Sequence, residues 1–278
     1  MISAFSMLSN ILLLSTILWM TPAMAADALV TGSYQNSECI SCHEKDNSLL
    51  ISEWRSGSHG KAAVDCVACH GTDHQQSTVR ARENHSCNQC HGGEEGSVSH
   101  SYSTSKHGII VRLEAAEYDR SKPLTAENYR APSCAFCHFF GGHHNVSQSM
   151  SQKKSAADDQ EARQQMRWVC RQCHAPRYIR ELETNGRKML ALGEMKLLEA
   201  AAVVELARSE FPAEQLTQIE MLYHTMQSET IKALRVGIAH QSPDYQWWHG
   251  HPALDGKLLR IKGALTDLRR KRALVKTQ

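Results

Sequence analysis

Ten cysteines, and the histidines that follow them, carry the chemistry that the sequence specifies best. The cysteines form five copies of the pattern C-x-x-C-H, and none is left over. In this pattern the two thiols form thioether bonds to the vinyl groups of a haem, and the histidine ligates the iron from one side. The sequence therefore predicts five covalently attached haems c. The attachment residues are Cys39 and Cys42, Cys66 and Cys69, Cys87 and Cys90, Cys134 and Cys137, and Cys170 and Cys173. The predicted proximal iron ligands are His43, His70, His91, His138 and His174.

Three other uses of paired cysteines explain the pattern less well. A zinc ribbon joins two C-x-x-C knuckles in one tetrahedral site, and five knuckles cannot all pair. A thioredoxin-like redox site uses a single C-x-x-C beside a βαβ unit, and structural disulfides give no reason for a histidine after every second cysteine. Covalent haem attachment is the interpretation that accounts for all five repeats.

The second axial ligand of each haem decides whether its iron only transfers electrons or also binds a substrate. The chain has 16 histidines, so 11 remain after the five proximal ones. Each alone has an ordinary interpretation as an exposed or hydrogen-bonded side chain, and the ten methionines are an alternative source of ligands. As a set, the best-placed histidines number one per haem, which predicts bis-histidine ligation. These candidates are His59, His74, His107, His144 (or its neighbour His143) and His240, with His85, His100, His224, His249 and His251 in reserve.

The segment that carries the first four motifs has a poor composition for an ordinary hydrophobic core. Residues 27–150 contain much Gly, Ser and His and show little hydrophobic periodicity, and aromatic residues make up only 6% of the chain. Haem supplies large apolar faces around which short loops and helical turns can pack. We therefore expect a mainly α multihaem cytochrome c fold with little regular structure around the haems.

Long amphipathic helices are predicted after the polar stretch 147–159 and the fifth motif. The first is expected to end at Phe211-Pro212, and the second near Gly237, before a turn at Ser242-Pro243-Asp244. Their apolar stripes predict a C-terminal bundle of long helices, with oligomerisation as the alternative use of the same faces. The three stripes are Leu190, Leu197, Ala201 and Val204; Leu216, Ile219, Tyr223, Met226, Thr230 and Leu234; and Leu258, Ile261, Leu265 and Leu268.

The N-terminus has the pattern of an export signal. Residues 1–25 contain no Lys, Arg, Asp or Glu, and an apolar run precedes Ala23-Met24-Ala25, which predicts cleavage after Ala25. The missing positive charge leaves an uncleaved anchor as the alternative, although the run is shorter than the roughly 20 apolar residues of a membrane span. Because c-type haems are attached outside the cytoplasm, we expect a periplasmic protein. The predicted organisation is a signal peptide (1–25), a pentahaem-binding domain (26–176) and a C-terminal helical region (177–278).

Three segments resemble the hydroxylamine oxidoreductase family of multihaem cytochromes. They are SYSTSKHG (101–108), YRAPSCAFCHFFGGHHNVS (129–147) and AHQSPDYQWWHG (239–250). Members of that family are octahaem, and this chain is similar to their later five haems, a set that also resembles the pentahaem cytochrome c nitrite reductases. The resemblance implies that His107 and His144 are distal ligands, and that the Cys39–His43 haem stands where those enzymes keep an open, catalytic iron.

The sequence also departs from these enzymes at residues that serve catalysis. The resemblance implies an Asp-His pair for proton transfer soon after the Cys87–His91 motif, and this chain has Gly92-Gly93-Glu94-Glu95-Gly96 instead. Glu94, Glu95 or His100 are the remaining candidates for a proton donor. The nitrite reductases have a lysine in place of the proximal histidine, and His43 does not match. Tyr245 is the tyrosine to compare with the one that crosslinks to haem in the hydroxylamine oxidisers.

Two functions follow from these observations. The first is electron transfer through closely packed, mostly bis-histidine haems, with redox proteins or a quinol-linked donor as partners and the C-terminal helices as a surface for homo-oligomerisation. The alternative is a reductase or oxidase of a small nitrogen or sulfur compound, such as hydroxylamine or nitrite, at the Cys39–His43 haem. The formal net charge of +2 gives no indication of nucleic-acid binding.

Overall fold

Helices make up the regular structure of this chain. The computed structural model describes residues 32–92, 97–146 and 156–276. Within these ranges there is no β-strand, and Ser33 and Asp73 form one isolated antiparallel bridge. The helices are α1 (Asn36–Asp46), α2 (Ser48–Ser56), α3 (Ser58–Lys61), α4 (Cys66–His70), α5 (Ser77–Ala81), α6 (Asn84–Asn88), α7 (Ser97–Ser103), α8 (Lys106–Leu113), α9 (Cys134–His138), α10 (Ala156–Cys170), α11 (Pro176–Glu210), α12 (Thr217–Thr225), α13 (Ile231–Ala239), α14 (Pro243–His249) and α15 (His251–Lys276).

The predicted mainly α fold is confirmed, and its two parts differ in the length of their helices. From α1 to α9 no helix is longer than 11 residues, whereas α11 has 35 and α15 has 26. Short helices occupy much of the region for which loops were predicted, because capping and the C-x-x-C-H turns start helices that no apolar periodicity announces. Helix α11 begins at Pro176, the last residue of the predicted pentahaem-binding domain.

The C-terminal helices form the large hydrophobic core. Helix α11 packs against α15, and α12 and α13 complete the bundle, joined by one π-helical turn at Met226–Thr230. The three predicted stripes lie at this core, with Val204, Met226, Leu234 and Ile261 completely buried, except that Ala200 takes the place predicted for Ala201. Periodicity was sufficient to find these helices, since each buries one face and exposes the other.

Small residues on α11 allow its neighbours to approach closely. Gly186, Gly193, Ala200 and Ala207 are buried at intervals of seven residues. A Cβ at Gly193 would overlap the side chain of Leu234, so the absence of a side chain there makes room for α13. A heptad of small residues thus determines how closely the bundle packs.

The turn before α14 is shorter than predicted. Gln241 has a positive φ of 52° and Ser242 is the N-cap, so Pro243 is already the first residue of α14. Proline fits that position because the first helical N–H has no partner inside the helix. The prediction that Pro243 and Asp244 lie in the turn is wrong. The predicted signal peptide and residues Gly93–Gly96 lie outside the described residues.

Candidate haem sites

Each C-x-x-C-H motif lies on or beside a helical turn. Helices α4 and α9 consist of a motif alone, and the residue before each first cysteine caps the helix: Asp65 accepts a hydrogen bond from the Ala68 N–H and Ser133 from the Phe136 N–H. In a helical turn, residues three and four apart share a face. The cap therefore holds two thiols and an imidazole on one side of a short peptide, as attachment to one porphyrin requires.

Two asparagines join the motifs in pairs, and the sequence analysis missed them. The side-chain oxygen of Asn36 accepts a hydrogen bond from the Cys66 N–H (2.8 Å), and Asn84 accepts one from the Cys134 N–H (2.9 Å). Each asparagine stands three residues before the first cysteine of the preceding motif. The repeated spacing N-x-x-C-x-x-C-H was the signal in the sequence that could have found them.

Consecutive motifs are neighbours in space. Cys39 and Cys66 are close enough to interact electrostatically, as are Cys69 and Cys87, and Cys137 and Cys170. The thiols of the third and fourth motifs share a hydrogen bond, which raises the pKa of Cys134 and lowers that of Cys87. Burial raises the pKa of the Cys137 thiol to about 12. The five attachment points therefore follow one another in chain order.

Four motif histidines each face one predicted distal histidine. The ring centroids are 6.2 Å apart for His43 and His74, and 5.9 Å for His59 and His91. They are 6.1 Å apart for His70 and His144, and 6.0 Å for His107 and His174. The first and third of these pairs are nearly parallel, with interplanar angles of 21° and 15°.

The fifth motif histidine, His138, has the fifth candidate as its neighbour. The pKa of His240 is lowered to about 4, mainly by burial and secondly by its electrostatic interaction with His138. Burial likewise lowers the pKa of His70 to about 4. A depressed pKa keeps an imidazole neutral at physiological pH, which is the form that binds a metal.

These separations fit a haem iron between each pair of rings. A metal lies about 2.0 Å from a coordinating imidazole nitrogen, so two imidazoles on opposite sides of one metal have centroids about 6 Å apart. The structure brings all five predicted distal residues to a motif histidine, one to each. Among the described residues, no three His, Cys, Asp or Glu side chains are arranged to hold a bare metal ion.

Hydrogen bonds hold several of these rings by their Nδ1 atoms. His70 Nδ1 bonds to the Ser77 carbonyl (3.1 Å), His144 Nδ1 to the Gly142 carbonyl (2.8 Å), and His240 Nδ1 lies 2.6 Å from the buried Ser101 Oγ. An Nδ1–H donor fixes the tautomer that leaves Nε2 free for a metal and sets the ring orientation.

Glu53 holds the segment that supplies His144. Its carboxylate accepts hydrogen bonds from His143 Nδ1 and from the His144 backbone N–H, both 2.8 Å long. Of the two adjacent histidines, His144 therefore faces His70, while His143 points to Glu53. Its bonds to these two residues lower the pKa of Glu53 despite the opposing effect of burial, so the carboxylate stays ionised.

A glycine follows two of the distal histidines because the backbone there has no room for a side chain. A Cβ at Gly60 would lie 2.9 Å from the Trp54 carbonyl carbon, and one at Gly108 would lie 2.8 Å from the Ser103 Cα. Both glycines stand near the start of a short helix, α3 and α8. At these two positions the helix start therefore packs closely against the preceding turn.

The reserve histidines lie elsewhere. His100 is in edge contact with Tyr245 and His249, both at 5.4 Å. Tyr245 itself is buried, with 4% exposure, and its ring lies 4.6 Å from that of His249 at an angle of 33°. His251 is close to Lys196, and within the described ranges no reserve histidine makes a ring contact with a motif histidine.

An all-helical fold organised around repeated C-x-x-C-H turns and facing histidine pairs defines the class of multihaem c-type cytochromes. Residues 51–210 match the family described as "Seven times multi-haem cytochrome CxxCH". The chain belongs to this family, and covalently bound haem c is its cofactor. The sequence contains five of the motifs where the family description has seven.

Individual relatives agree with the predicted resemblance. A "Probable nitrite reductase-hydroxylamine oxidoreductase fusion protein" of Kuenenia stuttgartiensis is 28% identical over 114 residues, which cover 36% of this chain and 13% of that protein. The chain thus spans about an eighth of this relative's length. The likeness to the hydroxylamine oxidoreductase-related cytochromes is confirmed.

Solved structures agree at the level of the fold. A reducing HAO-like protein complex of Kuenenia stuttgartiensis matches with a TM-score of 0.57 and 17% identity, over 87% of each chain. A "Hypothetical multiheme protein" matches with a TM-score of 0.59 and 16% identity, over 75% of this chain and 59% of that one. No helix in the described part of the chain is long and apolar enough to cross a membrane.

Proposed function

We propose that this chain is an exported pentahaem cytochrome c that transfers electrons through five bis-histidine haems. The observation that carries the proposal is the one-to-one pairing of motif and distal histidines, with four ring separations between 5.9 and 6.2 Å. Haem c supplies a one-electron carrier at each motif. When haem is bound, the two imidazoles of each pair would hold one iron and leave no ligand position for a substrate, which favours electron transfer over substrate binding.

The protein side chains have three roles in this proposal. The cysteines would fix each porphyrin, the paired imidazoles would hold its iron, and the Asn36 and Asn84 hydrogen bonds keep neighbouring motifs together. Because thiols of successive motifs lie close enough to interact electrostatically or through a hydrogen bond, the attachment points form one continuous series in chain order. Its ends lie at Cys39–His43 and at Cys170–His174.

The same proposal includes export and a redox partner. Covalent haem c is attached outside the cytoplasm, and the predicted leader 1–25 would direct the chain to the periplasm. The structural relative in a reducing HAO-like protein complex supports a protein partner for electron exchange. A quinol-linked donor and self-association through the C-terminal helices are further parts of the proposal.

Two measurements on protein purified from the periplasm test the proposal. Intact mass spectrometry should give a chain that starts near Ala26 and carries five haem increments. Electron paramagnetic resonance and resonance Raman spectra should show low-spin haem only, because every iron has two imidazole ligands. A high-spin signal in the wild-type protein, or fewer than five haems, would overturn the bis-histidine pentahaem assignment.

The enzyme alternative is supported by the name of the Kuenenia relative and opposed by one contact. The ring of His74 lies nearly parallel to that of His43, 6.2 Å from centre to centre. In this position it would occupy the ligand site at which a catalytic iron binds its substrate. We therefore expect the protein to be a poor hydroxylamine oxidase and nitrite reductase while being reduced rapidly by a small donor in stopped-flow experiments. Steady-state turnover on the order of 10 per second would establish the enzyme function instead.

A further inference from the structure

A cavity of about 320 Å³ lies beside the third and fourth motifs. Asn84 and Asn88 of α6 line one wall, and Ser133, the cap of α9, lines another. Among the residues that the structure describes, the lining includes none of the ten cysteines and none of the ten paired histidines. The cavity is therefore next to two haem-attachment points without being the slot between an imidazole pair.

The cavity lining carries an excess of positive charge. Arg82, Arg112 and Arg120 line it, and Glu83 is the one acidic residue in the described lining. Arg82 donates to the carbonyl oxygens of Arg120 (2.8 Å) and Lys122 (2.6 Å), which fixes its guanidinium. The guanidinium groups of Arg112 and Arg120 make no hydrogen bond or ion pair within the described residues. Two cations thus face a concave surface with their donors unused.

A buried hydroxyl also lacks a partner at this cavity. Tyr129 is 3% exposed, and its Oη is buried with no hydrogen-bond partner among the described residues. Burial raises the pKa of Tyr129, and the nearby Arg82 and Arg120 act against that rise, which places the hydroxyl close to both guanidinium groups. An unsatisfied buried donor costs about 1–3 kcal/mol, so this hydroxyl is expected to have a partner in the functional protein.

We propose that this cavity binds an oxyanion through Arg112, Arg120 and the Tyr129 hydroxyl. Arginine provides planar donors that match carboxylates and inorganic oxyanions, and the Tyr129 O–H adds a neutral donor from the buried side. Two sources share this chemistry: a propionate carboxylate of an adjacent haem and a free inorganic oxyanion. In either case the negative charge lies beside the third and fourth haem sites and affects their potentials.

The experiment uses the purified holoprotein in a chloride and amine buffer that contains no oxyanion. Inorganic phosphate is titrated calorimetrically at constant ionic strength into the wild type and the variants Arg120→Gln and Tyr129→Phe. Spectropotentiometric titrations of the same proteins give the haem potentials. Arg177→Gln and Tyr223→Phe are matched controls, since both residues lie outside the cavity on α11 and α12.

Three outcomes are distinguishable. Saturable phosphate binding that both variants weaken by about tenfold or more assigns the site to a free oxyanion. Absence of phosphate binding, together with a lower midpoint potential of one haem in both variants, assigns it to a propionate, because removal of a positive charge or donor favours oxidised iron. If both measurements give the cavity variants and the controls the same values as the wild type, the proposal is wrong.

The readouts separate this proposal from the proposed function. The propionate source depends on haem at the third and fourth motifs, whereas phosphate binding to the cavity does not. Haem content by mass spectrometry and the low-spin spectrum are recorded for every variant, so a failure of haem attachment is seen directly. If Arg120→Gln does not accumulate, Tyr129→Phe decides alone, since phenylalanine preserves the ring contact with Phe136.

Discussion

Replacing Gly108 by alanine should remove the distal ligand of the fifth haem site. The new Cβ would lie 2.8 Å from the Ser103 Cα and overlap the Tyr102 carbonyl oxygen. Carbon atoms in ordinary contact are about 3.5–4.0 Å apart, so the start of α8 must move by roughly 1 Å. His107 is the residue immediately before Gly108 and moves with it. Metal–ligand distances tolerate only about 0.2 Å, which predicts loss of the bond from His107.

The cost of the steric overlap at Gly108 also exceeds the gain in helix propensity that alanine brings. Alanine in place of a helical glycine gains about 0.5–1 kcal/mol, whereas forcing extra volume into a packed site costs typically about 1–3 kcal/mol. Gly263→Ala is the matched control, because it lies in α15 and a Cβ there meets nothing within 4 Å. That variant should be slightly stabilised by the higher helix propensity of alanine and should keep every haem low-spin.

The assay is electron paramagnetic resonance of both variants beside the wild type, with haem content by mass spectrometry. Gly108→Ala should retain all five covalent haems, because the thioethers hold the porphyrin, and show one of them as high-spin. A fully low-spin spectrum for Gly108→Ala, at full haem content, would refute the assignment of His107 as a ligand held by this close backbone contact.

Three further variants test other parts of the molecule. His74→Ala should open the iron at His43, giving one high-spin haem that binds nitrite or cyanide; a spectrum identical to the wild type would remove His74 from the ligand set. Ser101→Ala should leave His240 as a ligand but raise the midpoint potential of that haem. The reason is that loss of the 2.6 Å hydrogen bond to Nδ1 makes the imidazole a weaker base. An unchanged potential in a redox titration would contradict this role of Ser101. Leu234 is 0% exposed in the bundle core, so Leu234→Ala should lower the free energy of unfolding by about 2–5 kcal/mol without changing the haem spin state. A loss below about 1 kcal/mol in denaturant titrations would show that the core is loosely packed around Leu234.

The sequence alone predicts the proximal ligand of every haem site, and it was sufficient to find the long helices. A C-x-x-C-H motif places its own histidine through covalent attachment, so no tertiary information is needed. Likewise, a stripe such as Leu258, Ile261 and Leu265 is visible because helix packing buries one face. Both signals are local in the chain.

Which distal histidine faces which motif histidine could not be predicted, because the paired residues are far apart in the chain. Only the five distal candidates as a group could be named. His59 precedes the second motif, yet it faces His91 of the third, because the route of the chain between elements decides which rings meet. The same holds for Glu53 and Ser101, which act on histidines about 90 and about 140 positions away. Gly60 and Gly108 left no distinctive local signal either, because the pair His-Gly also occurs at His70-Gly71, His91-Gly92 and His249-Gly250.

The distances along the chain between paired histidines influence the order in which the haem sites are completed. Paired rings are separated by about thirty residues in the case of His43 and His74, and by about one hundred in the case of His138 and His240. Longer separations cost more chain entropy to close, and His240 is also the last of these ligands to be synthesised. We therefore expect the fourth site to acquire its predicted second imidazole only when α13 docks onto α7, because Ser101 on α7 contacts the His240 ring. During biogenesis, the spin state of the haem at Cys134–His138 is expected to report when the C-terminal bundle has closed over the earlier sites.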